Sequence, residues 1–332
     1  MKLSVLDQSP IANGDTAAAA ITESLALARH CDRLGYERYW LAEHHNVLAL
    51  AGTAPEVLMA AIAATTQRIR VGSAGVLLPN YSAYKVAEQF RVLEAIAPGR
   101  IDLGLGRGLN INEATTRALN PYSSASVDDF ANQVRDVQHW LENRRLPDEH
   151  PYRDIIAQPQ GTGSPTVWML GTNSGAQLAA HAGLPYAFGY FLTDGLGIDE
   201  ALAVYRQQFQ PNERYPRPQA TICVWALAAD TQAEAEHLAT TREYWRLGPA
   251  QGIQRPLISP AEAATYPYSE VERQRITQLR EHALVGSGTQ VAARLHALAS
   301  RYELDEIVVN SWAFDSQARR YSYTLLAQAC GL

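Results

Sequence analysis

The chain has 332 residues, 47% of them hydrophobic and 19% charged, with a formal net charge of −6. This is the composition of a globular protein with a substantial core. The negative balance argues against a non-specific nucleic-acid binder and gives no reason for attraction to an anionic membrane.

No apolar run is long enough to span a bilayer, and none follows Lys2 as a signal peptide requires, so a cytoplasmic protein is expected. Cys31, Cys223 and Cys330 are far apart and form no Cys-x-x-Cys pair, which fits buried thiols.

Short apolar runs alternate with amphipathic segments along the chain. Residues 3–6 form the first run, and an Ala-rich helix follows from about Thr16 to a Gly35 cap. Residues 38–42 are the second run, after which Thr53-Ala54-Pro55 opens a helix. Residues 69–78 are the third, and Val86, Phe90 and Leu93 mark a helix that stops at Pro98-Gly99. A strand over 101–105 precedes a helical stripe of Phe130, Val134, Val137 and Leu141 that begins after Ser126.

A strand over 166–170 and a short helix over 174–182 come next. Residues 186–191 read as a strand, and Ile198, Leu202, Tyr205 and Phe209 mark a helix. A strand over 222–228 leads into Thr231-x-x-Glu234, the pattern of a capping box. Val291, Leu295 and Leu298 mark a helix, Glu306–Asn310 is the last strand, and Asp315 starts the last helix.

Eight strand-then-helix units predict an α/β fold: a (β/α)8 TIM barrel with loop insertions, forming one domain over residues 1–332. An open doubly wound sheet is the alternative. Polar stretches interrupt the units at 108–126, 145–165 and 245–287. The last is a candidate lid, with a simple surface insertion as the competing reading. Its Tyr244, Trp245, Tyr266 and Tyr268 are candidates to stack on an aromatic or polyketide-like substrate; packing among themselves is the plainer account.

Barrel chemistry sits at the C-terminal ends of the strands, which singles out four places. Glu43-His44-His45 follows the second run, where a histidine can exchange protons near neutral pH. While the chain stays extended, only one of His44 and His45 can face the mouth, and the other packs outward or against a partner subunit. A metal site needs further ligands, for which Asp7 is a candidate.

Small residues around Ser73, Ala74 and Gly75 would let a flat ligand lie against the backbone, or would serve tight packing. Gly104-Leu105-Gly106-Arg107-Gly108 has the wrong spacing for a dinucleotide fingerprint. Arg107 reads instead as an anion clamp, with a surface ion pair as the alternative. Gly171-Thr172-Asn173-Ser174-Gly175 opens a helix whose free N–H groups suit a phosphate, unless Ser174 only caps that helix.

Taken together, LSVLDQSP, RYWLAEHHN, RIRVGSAGVLLP, KVAEQFRVLEAIAPGRIDLGLGRG, GTNSGAQLAAHAGLPYAFGYF and YSYTLLAQA resemble the bacterial luciferase-like flavin monooxygenases across nearly the whole chain. The resemblance implies a luciferase-like barrel that binds reduced FMN or, in some branches, a deazaflavin. It places the catalytic role on His44, a non-proline cis peptide near Ala74 and Gly75, and phosphate contacts on Arg107 and on Thr172, Asn173, Ser174 and Gly175.

Close relatives carry Ala-Pro-Gly after this arginine, where Gly108-Leu109-Asn110 stands here. The implied reaction uses reduced FMN and molecular oxygen to oxygenate a small organic substrate. With no nicotinamide fingerprint in the sequence, a partner flavin reductase is expected to supply the reduced FMN; the resemblance suggests a homodimer and does not imply light emission. A flavin or deazaflavin reductase or dehydrogenase, or a non-catalytic flavin-binding subunit, is the alternative.

Overall fold

The structure is a computed structural model that describes residues 1–108, 113–121 and 129–332. The expected features at Leu109, Asn110 and Ser126 lie outside those residues. Ten strands form in chain order: β1 (Lys2–Asp7), β2 (Arg38–Leu41), β3 (Arg70–Ser73), β4 (Val76–Leu77), β5 (Ile101–Gly106), β6 (Thr166–Gly171), β7 (Tyr186–Phe188), β8 (Ala220–Ala229), β9 (Leu284–Ser287) and β10 (Glu306–Asn310).

All ten pairings are parallel. The order runs β10-β1-β2-β3-β5-β6-β7-β8, and β10 also pairs with β8, which closes the ring. The architecture is therefore an eight-stranded TIM barrel, and the open-sheet alternative falls.

Alternation along each strand divides the side chains between two cores. Outward residues such as Leu3, Val5, Tyr39, Leu103 and Val309 pack under the helices. Inward residues Leu6, Trp40, Trp168, Ala187, Cys223 and Val308 fill the middle of the barrel. Beneath them lies an ionic layer. Asp102, fully buried, accepts from Arg38 Nη1 at 2.8 Å, Arg70 Nη2 at 2.5 Å and Trp40 Nε1 at 3.1 Å. Glu306 accepts from Arg38 Nε at 2.9 Å and from Ser4 Oγ at 2.5 Å. The buried charges are paired, as burial requires, and this layer separates the cavity at the N-terminal end, lined by Lys2, Arg38, Trp168 and Glu306, from the C-terminal half of the barrel.

The capping signals act as read at both ends of the first helix, Ala17–Leu34. Thr16 accepts from Ala19 N–H, and Gly35 takes φ 91°. Thr231 likewise accepts from Glu234 N–H, while complete capping boxes form at Ser259/Glu262, Ser269/Glu272 and Ser287/Gln290.

Four readings need correction. The third run is not one strand: a cis Ala74-Gly75 peptide separates β3 from β4. The strand expected over 186–191 ends at Phe188. Gly189 turns the chain, its N–H bonded to Gly171 O, and Tyr190–Thr193 is a helical turn.

The 245–287 stretch, whose Ala- and Glu-rich part reads as helical in the sequence, is largely helix, but it also carries a strand that was not expected. The helix Gln232–Ala250 runs through Pro249, and Pro260–Thr265 and Glu270–His282 follow. An extra strand, β9, pairs with Ala226–Ala229, because β8 outruns its neighbours and leaves its end unpaired. The helix Glu113–Leu119 also lies within a segment read as irregular. Among the described residues, no helix is long and apolar enough to cross a membrane.

Candidate active site

A cavity of about 530 Å³ opens at the C-terminal end of the barrel. Leu6, Trp40, Ala187 and Cys223 from the middle layer line it, so the filled barrel supplies its floor. One wall is built from small residues: Ala74, Gly75, Gly106, Gly108, Gly171 and Gly175.

Close packing explains part of that wall. A Cβ on Gly75 would come within 2.7 Å of Gly104 O, and one on Gly104 would run into the Ser73 carbonyl. Ser73 is buried below the wall, with Oγ donating to Gly104 O and accepting from Gly104 N–H, both at 3.0 Å. Ala74 and Gly75 reach the cavity, whereas Ser73 is not among its lining residues.

The end of β5 meets the end of β6 across this wall. Arg107 Nη2 donates to Ser174 Oγ and has no carboxylate partner among the described residues. The helix begins at Asn173 with Thr172 at its N-cap, so Ser174 does not cap it. Tyr186 Oη donates to Thr172 O at 2.9 Å and steadies the turn. Thr172, Ser174 and Gly175 line the cavity; Asn173 instead lies against Gly197. A guanidinium beside hydroxyls and a helix start is a donor set suited to phosphate.

Beside this wall, where Ala74 N–H donates to Leu41 O at 2.7 Å, β2 ends at Leu41, so the extended-chain argument lapses and both His44 and His45 line the cavity. His45 turns to Glu43 within the chain, with Nε2 2.7 Å from Oε1. His44 Nε2 lies 3.3 Å from Gln8 Nε2, and Gln8 Oε1 accepts from Asn310 Nδ2 at 2.5 Å. Burial first, and the neighbouring His45 second, push the His44 imidazole down to about 4, so it is neutral at pH 7.

Asp7, the metal-ligand candidate, is bound instead by Arg319 at 2.7 Å, Tyr39 Oη at 2.6 Å and Ser9 N–H at 2.8 Å. Burial would raise its carboxyl, but Arg319 and the donated hydrogen bonds leave it lowered. Among the described residues, no group of three or more His, Cys, Asp or Glu is arranged to hold a metal.

The insertion closes one side of the mouth. Leu257, Leu50 and Trp312 form a buried cluster with Val47 and Trp245 against it. Tyr244, Tyr266 and Tyr268 stack on one another and on Arg255, and Trp245 packs on Trp312. None of these four aromatic residues lines the cavity. Gln8, Phe191, Leu192 and Gln254 do, and were not singled out from the sequence. Gln8 could have been found by the strand-end rule, since it directly follows β1; Gln254 carries no local signal.

A closed parallel barrel with a one-ended cavity at the C-terminal mouth defines an enzyme-type TIM barrel. The family model described as luciferase-like monooxygenase matches residues 1–302. The chain is 38% identical to a luciferase-like monooxygenase of Escherichia coli K12, over 97% of this chain and 95% of that one. It is 34% identical to the N-acetyl-S-alkylcysteine monooxygenase of Bacillus subtilis, over 99% and 98%.

Among solved structures, apo-MsnO8 is 38% identical with a TM-score of 0.90, covering 100% of this chain and 98% of that one. Two more distant structures share the fold. They are the FMN-bound oxygenating constituent of 3,6-diketocamphane monooxygenase from Pseudomonas putida (17%, TM-score 0.72, 99% and 98%) and an F420-dependent secondary alcohol dehydrogenase (13%, 0.70, 99% and 98%). The chain belongs to the luciferase-like monooxygenase family, a family of oxidoreductases.

Proposed function

We propose that this protein is a monooxygenase that binds reduced FMN at the barrel mouth and uses molecular oxygen to oxygenate a small organic substrate. The observation that carries the reading is the pairing of a small-residue wall with a phosphate-type donor set at one end of a single cavity. Arg107, Thr172, Ser174 and Gly175 would hold the phosphate, and Ala74 and Gly75 would face the flat ring. The small-residue wall and Arg107, which has no carboxylate partner among the described residues, fit such a ligand.

When bound and reduced, the flavin supplies the electrons that activate oxygen. His44, neutral and lining the same cavity, orients the reacting partner. The 245–287 insertion shields the cavity from water. A separate reductase delivers the reduced flavin, since no nicotinamide fingerprint stands in the sequence. A homodimer is part of the same proposal, supported by Val57, Val92 and Ile96, exposed on neighbouring helices.

Titration with reduced FMN and, separately, with reduced F420 under anaerobic conditions tests the cofactor. Micromolar or tighter binding of FMN followed by oxygen consumption supports the proposal. Binding of F420 alone replaces it with a deazaflavin dehydrogenase, and binding of neither ends it.

A further inference from the structure

We infer that Glu43 sets His45 as the proton acceptor of the cavity, with Nδ1 as the accepting atom and Tyr81 helping to hold the carboxylate. The inference builds on the proposed active site but rests on geometry of its own. His45 Nε2 is 2.7 Å from Glu43 Oε1. A carboxylate only accepts hydrogen bonds, so this contact places the ring proton on Nε2. Neutral His45 then carries its lone pair on Nδ1, which takes no hydrogen bond from the described residues.

Glu43 is buried and held from three directions. Leu77 N–H donates to Oε2 at 3.1 Å, and Tyr81 Oη donates to Oε1 at 2.6 Å. The Tyr81 oxygen lies 3.2 Å from His45 Nε2, where it accepts the same ring N–H. Burial and the Glu43 carboxylate both raise the Tyr81 phenol, which keeps it a donor. The other ionisable groups near His45 are His44 and Glu56.

The two histidines therefore divide the work. His44 is held neutral by burial. His45 is backed by a carboxylate that stabilises the imidazolium formed when Nδ1 takes a proton. A proton leaving an O–H or N–H of a bound ligand passes to Nδ1, the electron pair stays on the ligand, and Nε2–H remains on Glu43. The proton returns to solvent through the mouth. Glu43 and Tyr81 are positioning residues in this arrangement.

The test is the nitrogen-15 spectrum of the imidazole groups in the ligand-free full-length protein. In the parent protein, His45 is expected as the Nε2–H tautomer by at least about tenfold, a margin of roughly 1.4 kcal/mol. Glu43→Gln reverses this preference. The Leu77 N–H cannot become an acceptor, so it keeps the amide oxygen and turns the amide NH2 toward His45 Nε2. Tyr81→Phe keeps the parent tautomer.

A parent His45 protonated on Nδ1, or a tautomer unchanged by Glu43→Gln, overturns the inference. If Glu43→Gln does not fold, the parent spectrum still decides. A second arm follows the pH profile of reduced-FMN reoxidation by oxygen. His45→Asn should lower the rate at least tenfold and alter its pH profile, whereas an unchanged rate and profile overturn the acceptor role. Failure of FMN to bind counts against the cofactor proposal and leaves the spectrum to decide this one.

Discussion

Gln254 and Leu48, 206 positions apart, are joined by a hydrogen bond of 2.7 Å from Leu48 N–H to Gln254 Oε1. The same carboxamide donates from Nε2 to Asn46 O, also at 2.7 Å. One side chain from the insertion thus satisfies two backbone groups of the loop that follows His44 and His45. Neighbouring backbone bonds extend the seam, from Ile11 N–H to Ala49 O and from Asn13 N–H to Leu257 O, both 2.8 Å.

Gln254→Ala should loosen this seam without unfolding the barrel. Two partly exposed hydrogen bonds are lost, at about 1 kcal/mol each. Amide exchange at residues 46–50 is expected to rise roughly fivefold or more, since about 1 kcal/mol of local opening energy gives that factor. Exchange equal to that of the parent would show that the insertion is held elsewhere.

Arg107→Ala should weaken FMN far more than riboflavin. A charge-assisted bond to phosphate is worth about 1.5–3 kcal/mol, or roughly 10- to 150-fold in Kd. Riboflavin lacks the phosphate and should bind both proteins alike. Equal losses for the two ligands would move the phosphate away from Arg107.

His44 makes stability depend on acid pH in a definite direction. Its folded-state value, about 4, lies below the ordinary 6.5, so the unfolded chain binds the extra proton first. The contribution is present above about pH 6.5 and is lost as pH falls through about 4. His44→Asn should therefore lose less stability between these limits, by close to one proton in the linkage slope. Urea midpoints at pH 7, 5.5 and 4.5 measure it; parallel curves would contradict the buried neutral ring.

Gly104→Ala should destabilise the barrel by about 1–3 kcal/mol, the usual range for overpacking a tight interior. The added methyl meets the Ser73 carbonyl, and backbone cannot turn aside as a side chain can. Chemical denaturation should show the loss, with the slope of the transition unchanged.

The barrel was legible because its strands are buried on both faces and its helices carry one apolar stripe. Phe130, Val134, Val137 and Leu141 all fall buried on one helix, at the predicted spacing. The break between β3 and β4 shows in no periodicity, since Ala74 and Val76 fit a continuous strand as well as an interrupted one. The break near Ala74 was available only through family resemblance.

At the site, Arg107 and Ser174 could be named as separate strand-end signals, and the structure joins them. His45 was undervalued because the alternation argument presumed an extended chain beyond Leu41. Gln254 was invisible because its partners lie on a loop some 200 residues away. Tyr244 and Tyr266 look like ligand platforms in sequence, yet Arg255 occupies their faces.

The ionic layer of Asp102, Arg38, Arg70 and Glu306 also governs traffic. The cavity at the mouth shares no lining residue with the one at the base, so the two ends of the barrel do not communicate through it. A ligand seated on the Trp40 floor can be replaced only after whatever lies above it has departed. Two ligands held one above the other there would have to leave in the reverse of the order in which they entered.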